Sequence, residues 1–304
     1  MKGLIVTADD FGAAREINDA VEVAHRDGIL TAASLMVAAP AASDAVARAR
    51  RLPSLRVGLH VVLTEGRPLL PAHQVSRLVD DRGLLRSDMA ALGATIAFSR
   101  RARSQLAAEI GAQFEAFRAT GLPLDHCNAH KHFHLHPVVG RFLANIGSRF
   151  GLRAIRLPLE PASVLLRIER RTPILPAKLT ALLALMLRRR LRAAGLLVPD
   201  WVFGLQWSGR LTRERLSGLI RHLPEGISEI YLHPATAPFP GAVPAYRYRE
   251  ELEALLAPEV AAACRDPALR LGGFADFLDV GTAARAGGSR GVSEGAVPDR
   301  RVMS

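Results

Sequence analysis

Short apolar runs that end on a polar, chemistry-bearing side chain recur along this chain, with helical-period segments between them. Gly3–Thr7 runs on to Asp9 and Asp10, Val57-Gly58-Leu59 ends on His60, and Ile230-Tyr231-Leu232 ends on His233. Continuously apolar runs this short read as strands buried on both faces. Ile17, Ala20, Val21 and Ala24 form one helical stripe, and Leu106, Ile110, Phe114 and Phe117 another. The pattern predicts strands at 3–7, 31–37, 56–62, 124–129, 154–157, 229–233 and 270–274. It predicts helices at 15–26, 43–51, 104–120 (capped by Ser104), 137–150, 212–222 and 246–256. Alternation of this kind builds βα units and a mainly parallel sheet. The expected fold is α/β: a single (β/α) barrel-like domain, regular or irregular, over residues 1–282. A doubly wound sheet is the alternative, since both architectures put functional side chains just past strand ends. Residues 165–200 read as a basic and apolar helical insertion. Residues 283–304, rich in Gly, Ser, Arg and Val without periodicity, read as a disordered tail.

Several function classes drop out. Neither a G-x-G-x-x-G nor a P-loop pattern is present. Two cysteines, Cys127 and Cys264, are too few for a disulfide framework or a Cys-based zinc site. The first apolar run is cut short by two acids, and no run approaches ~18 apolar residues, so a cytoplasmic location is expected. The net charge of +11 is concentrated: residues 165–192 carry eight Arg and Lys against one Glu. That segment is either a solvated arginine-rich face or an attractor for an acidic partner, nucleic acid or anionic membrane. Its apolar stretch Leu179–Leu187 followed by Arg188-Arg189-Arg190 is too short to span a bilayer. It could lie in the interface as a peripheral contact with the inner membrane, or pack as a buried helix with a basic end.

Two constellations carry chemistry. Asp9-Asp10 places adjacent carboxylates at a strand mouth, which a divalent cation would compensate, one acid ligating and the other staying free as a base. A helix N-cap with a spare acid is the plainer reading. Residues 126–137 hold five of the ten histidines: His126, His130, His132, His134 and His136. Extended, the last four would share a face; helical, His130 would pair with His134 and His132 with His136. Either arrangement gathers imidazoles suited to a transition metal. His60 and His233 at strand ends would converge on the acids in a barrel, leaving open positions for water and substrate.

The set Thr7-Ala8-Asp9-Asp10-Phe11-Gly12, Val57-Gly58-Leu59-His60 with Leu63-Thr64, Asn128-Ala129-His130-Lys131-His132-Phe133-His134, and Leu232-His233-Pro234 resembles the YdjC-like carbohydrate deacetylases in order and spacing, over about residues 2–280. Within that family the His-rich segment and the arginine-rich later half are most similar to deacetylases associated with hopanoid biosynthesis. The resemblance implies metal-assisted hydrolysis of an N-acetylated amino sugar. The implied substrate is an N-acetylglucosaminyl hopanoid lipid, with a soluble chitooligosaccharide as the enzymatic alternative and a basic nucleic-acid-binding module as the non-enzymatic one. It implies one divalent ion (zinc, magnesium or manganese) on Asp10, His60 and His130, Asp9 as general base, and His233 as general acid. His132 and His134 are assigned to substrate contact, and no nucleic-acid partner is expected. Many relatives carry Asp-Ser where this chain has Asn128-Ala129, so the residue that orients a ligand here is uncharged.

Overall fold

The computed structural model of the chain describes residues 1–170 and 176–279, and of residues 176–181 the backbone alone. Part of the basic segment and all of the proposed tail at 283–304 lie outside the described residues. The strands are β1 (Lys2–Phe11), β2 (Ala32–Leu35), β3 (Arg56–Val61), β4 (Cys127–Ala129), β5 (Trp201–Phe203), β6 (Gly226–Leu232) and β7 (Leu269–Leu271). The helices are α1 (Arg15–Asp27), α2 (Ala42–Ala49), α3 (Met89–Phe98), α4 (Arg100–Ala119), α5 (Pro137–Gly147), α6 (Ala162–Ile168), α7 (Pro176–Ala193), α8 (Arg213–Arg221), α9 (Tyr248–Leu256) and α10 (Pro258–Ala263).

Every strand pairing is parallel, in the order β4-β3-β2-β1-β6-β5. Taken around a ring, that order is sequential, as in a barrel, and the sheet curls into a half-barrel. The central strand β1 is buried along nearly its whole length. It pairs with β6 over Lys2–Ala8 on one edge. On the other edge it pairs first with β7 at Lys2–Leu4 and then with β2 from Thr7. Between the sheet edges β4 and β5, the connection is reduced to the bridges Cys127–Ile155 and Ala154–Leu197 and a bond from Val202 N–H to Leu159 O. The irregular barrel is therefore correct, and the strand expected at 154–157 is present only as bridges.

The amphipathic stripes behave as expected: Ile17, Ala20, Val21 and Ala24 of α1 are buried, as are Leu106, Ile110, Phe114 and Phe117 of α4. Helix α4 begins earlier than the sequence suggests. Ser99, not Ser104, caps it, its Oγ accepting from Ala102 N–H. Helix α3 escapes the pattern because its Met-Ala-Ala-Leu-Gly-Ala-Thr-Ile-Ala-Phe sequence is apolar nearly all round and presents no stripe. Strand β5 is three residues long, too short for a period to register. In the basic segment the chain forms α6 and α7, and no helix among the described residues is long and apolar enough to cross a membrane.

Candidate metal centre and active site

The C-terminal ends of β1, β3, β4 and β6 meet at one cavity of about 420 Å³, lined by Asp9, Asp10, His60, His130, His132 and His233 among others. Asp10 closes β1 in the left-handed region at φ 61°, and Gly12 at φ 96° continues the turn, its N–H donating to Asn18 Oδ1. The histidine segment is neither extended nor a regular helix. Residues His130–Leu135 form a kinked 3-10 turn with Lys131 and His132 at φ 52° and 53°. Glu65 (φ 54°) adopts the same region. All four of these non-glycine residues line the cavity. Each costs of order 1–3 kcal/mol, and such strain gathers where a ligand site needs it.

Asp10 Oδ1 lies 3.4 Å from His60 Nε2 and 3.3 Å from His130 Nδ1. His60 Nε2 and His130 Nδ1 are 3.4 Å apart. A tetrahedral ion with bonds of about 2.0–2.1 Å separates its ligand atoms by about 3.4 Å, so this near-equilateral triangle has the edge a divalent metal requires. The tautomer of His60 fits as well. Asn128 donates through Nδ2 to Ser34 Oγ (2.9 Å) and Asp9 Oδ1 (3.3 Å), which turns its Oδ1 toward His60 Nδ1 at 2.6 Å. His60 must then carry its proton on Nδ1, leaving the Nε2 lone pair for a cation. The uncharged Asn128 thus does two jobs: it orients one ligand and donates to Asp9.

Asp9 is held by a partner the sequence did not reveal. Its Oδ2 accepts from Arg156 Nη1 at 2.5 Å. Arg156 is fully buried and also donates Nε and Nη2 to Glu229 Oε1 (2.9 and 2.7 Å), which accepts from Thr7 Oγ1 in turn. The guanidinium lies over the Tyr231 ring at 4.6 Å. Burial alone would raise the Asp9 pKa, but the Arg156 charge overcomes it and holds the carboxyl well below its usual range. His233 sits just past β6, its backbone N–H donating to Glu251 Oε2 at 2.6 Å. Burial lowers its pKa, against the pull of Asp10 and Asp9. Glu251 is pushed up to about 8 by burial.

The five clustered histidines therefore part company. His130 joins the triad, and His132 lines the cavity with Nε2 2.9 Å from the Tyr231 hydroxyl. His134 is fully buried behind it, outside the cavity wall, with its pKa pushed down to about 3 by burial. It is not among the residues lining the cavity, unlike His132. His126 is buried between Asp125 Oδ2 (2.9 Å) and Ser34 Oγ (3.0 Å), and so joins the site through the bond from Asn128 to the same Ser34. His136 precedes α5. Arg156 and Glu229 each stand inside an apolar strand run, where a charge must find a buried partner, but no sequence signal pairs the two. Tyr231, Tyr246, Tyr248 and Phe239, which wall the cavity, sit in runs where no sequence period marks them.

Known proteins resemble this chain over nearly its whole length. The family profile described as YdjC-like protein matches residues 3–266. A protein named carbohydrate deacetylase from Geobacillus stearothermophilus is 30% identical over 278 residues, covering 90% of this chain and 97% of that protein. One of the same name from Vibrio vulnificus (strain CMCP6) is 40% identical over 136 residues, 44% of this chain and 50% of that protein. In fold, the chain is similar to the crystal structure of a putative cellobiose-phosphate cleavage protein from Enterococcus faecalis V583. The TM-score is 0.73 at 22% identity, over 91% of this chain and 98% of that one. With the family profile spanning most of its length, the chain belongs to the YdjC-like family.

Proposed function

We propose that this protein is a metal-dependent hydrolase that removes the acetyl group from an N-acetylated amino sugar. The observation that carries this reading is the ring of Asp10, His60 and His130 beside a separately held carboxylate, Asp9, in one cavity with His233. The names of the relatives agree with it. A divalent cation on Asp10, His60 and His130, zinc, manganese or magnesium, would polarise the acetyl carbonyl and acidify a water. Asp9, held ionised by Arg156, takes the proton as water oxygen bonds to the acetyl carbon. His233 gives a proton to the sugar nitrogen as the carbon–nitrogen bond breaks, leaving acetate and a free amine. For that step it must carry a charge that burial opposes and the two carboxylates favour. Tyr246 and Tyr248 offer ring surface for the sugar, and His132, whose Nε2 meets the Tyr231 hydroxyl, offers its ring edge at the cavity wall.

The test is acetate release from N-acetylglucosamine glycosides by metal-loaded protein, with metal content measured in parallel. His60→Ala is expected to lose bound metal and at least about 10²-fold in turnover, since two ligands hold an ion poorly. Full metal occupancy and unchanged turnover in that variant would remove the triad from this role.

For the sugar's carrier we favour a hopanoid lipid, on the sequence likeness, with α7 as the element that meets the membrane. Leu182, Leu185 and Met186 of α7 are 57%, 38% and 49% exposed, and Arg189 and Arg190 are exposed beyond them. Arg188 and Arg192 turn inward, donating to Asp200 O (3.0 Å) and to Val198 O and Asp200 Oδ1 (both 2.7 Å). An apolar stripe with a basic end suits an anionic interface, each free basic residue contributing about 1 kcal/mol. Co-sedimentation with phosphatidylglycerol-containing liposomes is expected at low salt, weakened by salt and by the double change Arg189→Gln and Arg190→Gln. Protein that stays in the supernatant at low salt would leave a soluble amino sugar as the better substrate.

A further inference from the structure

A second, larger chamber of about 660 Å³ adjoins the catalytic cavity, and the two share Ala13, Met36 and Glu65. Ala38, Ala39, Pro40, Val62, Leu84 and Leu85 make up most of its remaining wall, with Gly66, Arg67, Asp80, Arg82 and Ser87 completing it. The volume lies within the range of sites for whole small molecules, about 300–1,000 Å³, and far exceeds the needs of an acetyl group. Four charged residues, Glu65, Arg67, Asp80 and Arg82, are also part of its lining. Asp80 there is already used, its Oδ1 accepting from Arg82 and Leu84 N–H and its Oδ2 from the Arg82 guanidinium. Glu65 is ion-paired with Lys131 on the partition between the two cavities.

The chamber is built rather than left over. The long connection from Val62 to Asp88 that forms its outer wall is pinned by three buried polar side chains, four residues apart on α4. Gln113 brackets Val62, accepting from its N–H (2.9 Å) and donating to its carbonyl (2.7 Å). Glu109 accepts from Leu69 and Leu70 N–H (2.9 and 3.0 Å), and Gln105 from Arg77 N–H (2.8 Å). Leu85 N–H closes onto Gly66 O at 2.8 Å. A long connection of this kind without regular structure is unusual unless it has a task.

The chemistry of the two compartments differs in a way that assigns their occupants. A sugar is held by ring faces and converging polar groups, and the catalytic cavity has both in its tyrosines and histidines. Among its described lining residues the second chamber has no aromatic ring, and its lining is more apolar than polar. We infer that this chamber receives an apolar aglycone carried by the amino sugar whose acetyl group lies at the metal triad. The inference rests on the deacetylase reading only for the sugar end of that substrate.

Calorimetric binding of methyl and octyl N-acetylglucosaminides to metal-loaded protein, below the micelle concentration of the latter, reads the chamber directly. Acetate release from the same glycosides reads the reaction. Each methylene fully buried is worth up to about fourfold in affinity, so octyl is expected to bind at least about tenfold more tightly than methyl. Ala39→Trp, which fills the chamber, and Leu84→Glu, which charges it, are each expected to abolish that advantage while methyl glycoside binding stays within about twofold. Equal binding of the two glycosides, or a chain-length advantage that survives both substitutions, would overturn the inference. An intact octyl advantage with no acetate released from either glycoside would keep the chamber and sink the deacetylase reading instead.

Discussion

Asp9→Asn is expected to lower kcat by about 10²–10⁴-fold with metal content unchanged. The substitution keeps the shape of the side chain but removes its charge and its basic oxygen, and it keeps only one acceptor for the two donors, Arg156 and Asn128, that Asp9 serves. Asp9 is held away from the triad by bonds to Arg156 and Asn128, so the three ligand atoms remain in place without its charge. Arg156 also keeps one carboxylate, Glu229, so the buried cation is not left alone. The loss should therefore appear in turnover far more than in KM or thermal stability. Because Arg156 keeps Asp9 ionised well into acid, the acid limb of the wild-type pH profile should not report Asp9. Metal analysis beside steady-state acetate release separates the outcomes. Loss of metal would make Asp9 a ligand, and unchanged turnover would leave the base elsewhere.

Much of the site was legible because strand ends advertise themselves. A buried apolar run that stops on Asp or His signals a group used at the sheet mouth, and Asp9, Asp10, His60 and His233 all carried that signal. The βα alternation made a mainly parallel α/β sheet legible, while the choice of a barrel over a doubly wound sheet rests on the strand order, which closes β6 onto β1. The histidine segment was legible in content and not in shape. Period arguments offer a strand or a helix, whereas positive φ at Lys131 and His132 makes a kinked turn that sends His130 to Asp10 and His60 and His134 into the core. Arg156 and Glu229 meet across a sequence separation of 73, and nothing local announces such a pairing. The chamber wall was invisible because the bonds from Gln105, Glu109 and Gln113 depend on how α4 faces the connection after β3.

Arg156→Met is expected to destabilise the protein by about 3–5 kcal/mol, the usual consequence of removing one member of a buried charge cluster. Arg156, Asp9 and Glu229 are all essentially buried, so the change leaves two carboxylates facing each other without a cation. Methionine replaces the volume and the contact with Tyr231 and supplies no donor. Adding Glu229→Gln should return part of the loss, because one uncompensated charge is then removed. The two effects should be non-additive, as for any contacting pair. Arg156→Lys should fall between, keeping the charge but losing the fork that reaches both carboxylates. A second signature separates a structural role from a tuning one. Without the guanidinium the Asp9 pKa rises toward the carboxylate range, so the acid limb of kcat moves to higher pH in whatever Arg156→Met protein remains folded. Thermal unfolding with and without a chelator, together with that pH profile, decides the matter. Stability within about 1 kcal/mol of wild type and an unmoved acid limb would mean that Asp9 is held by something other than Arg156.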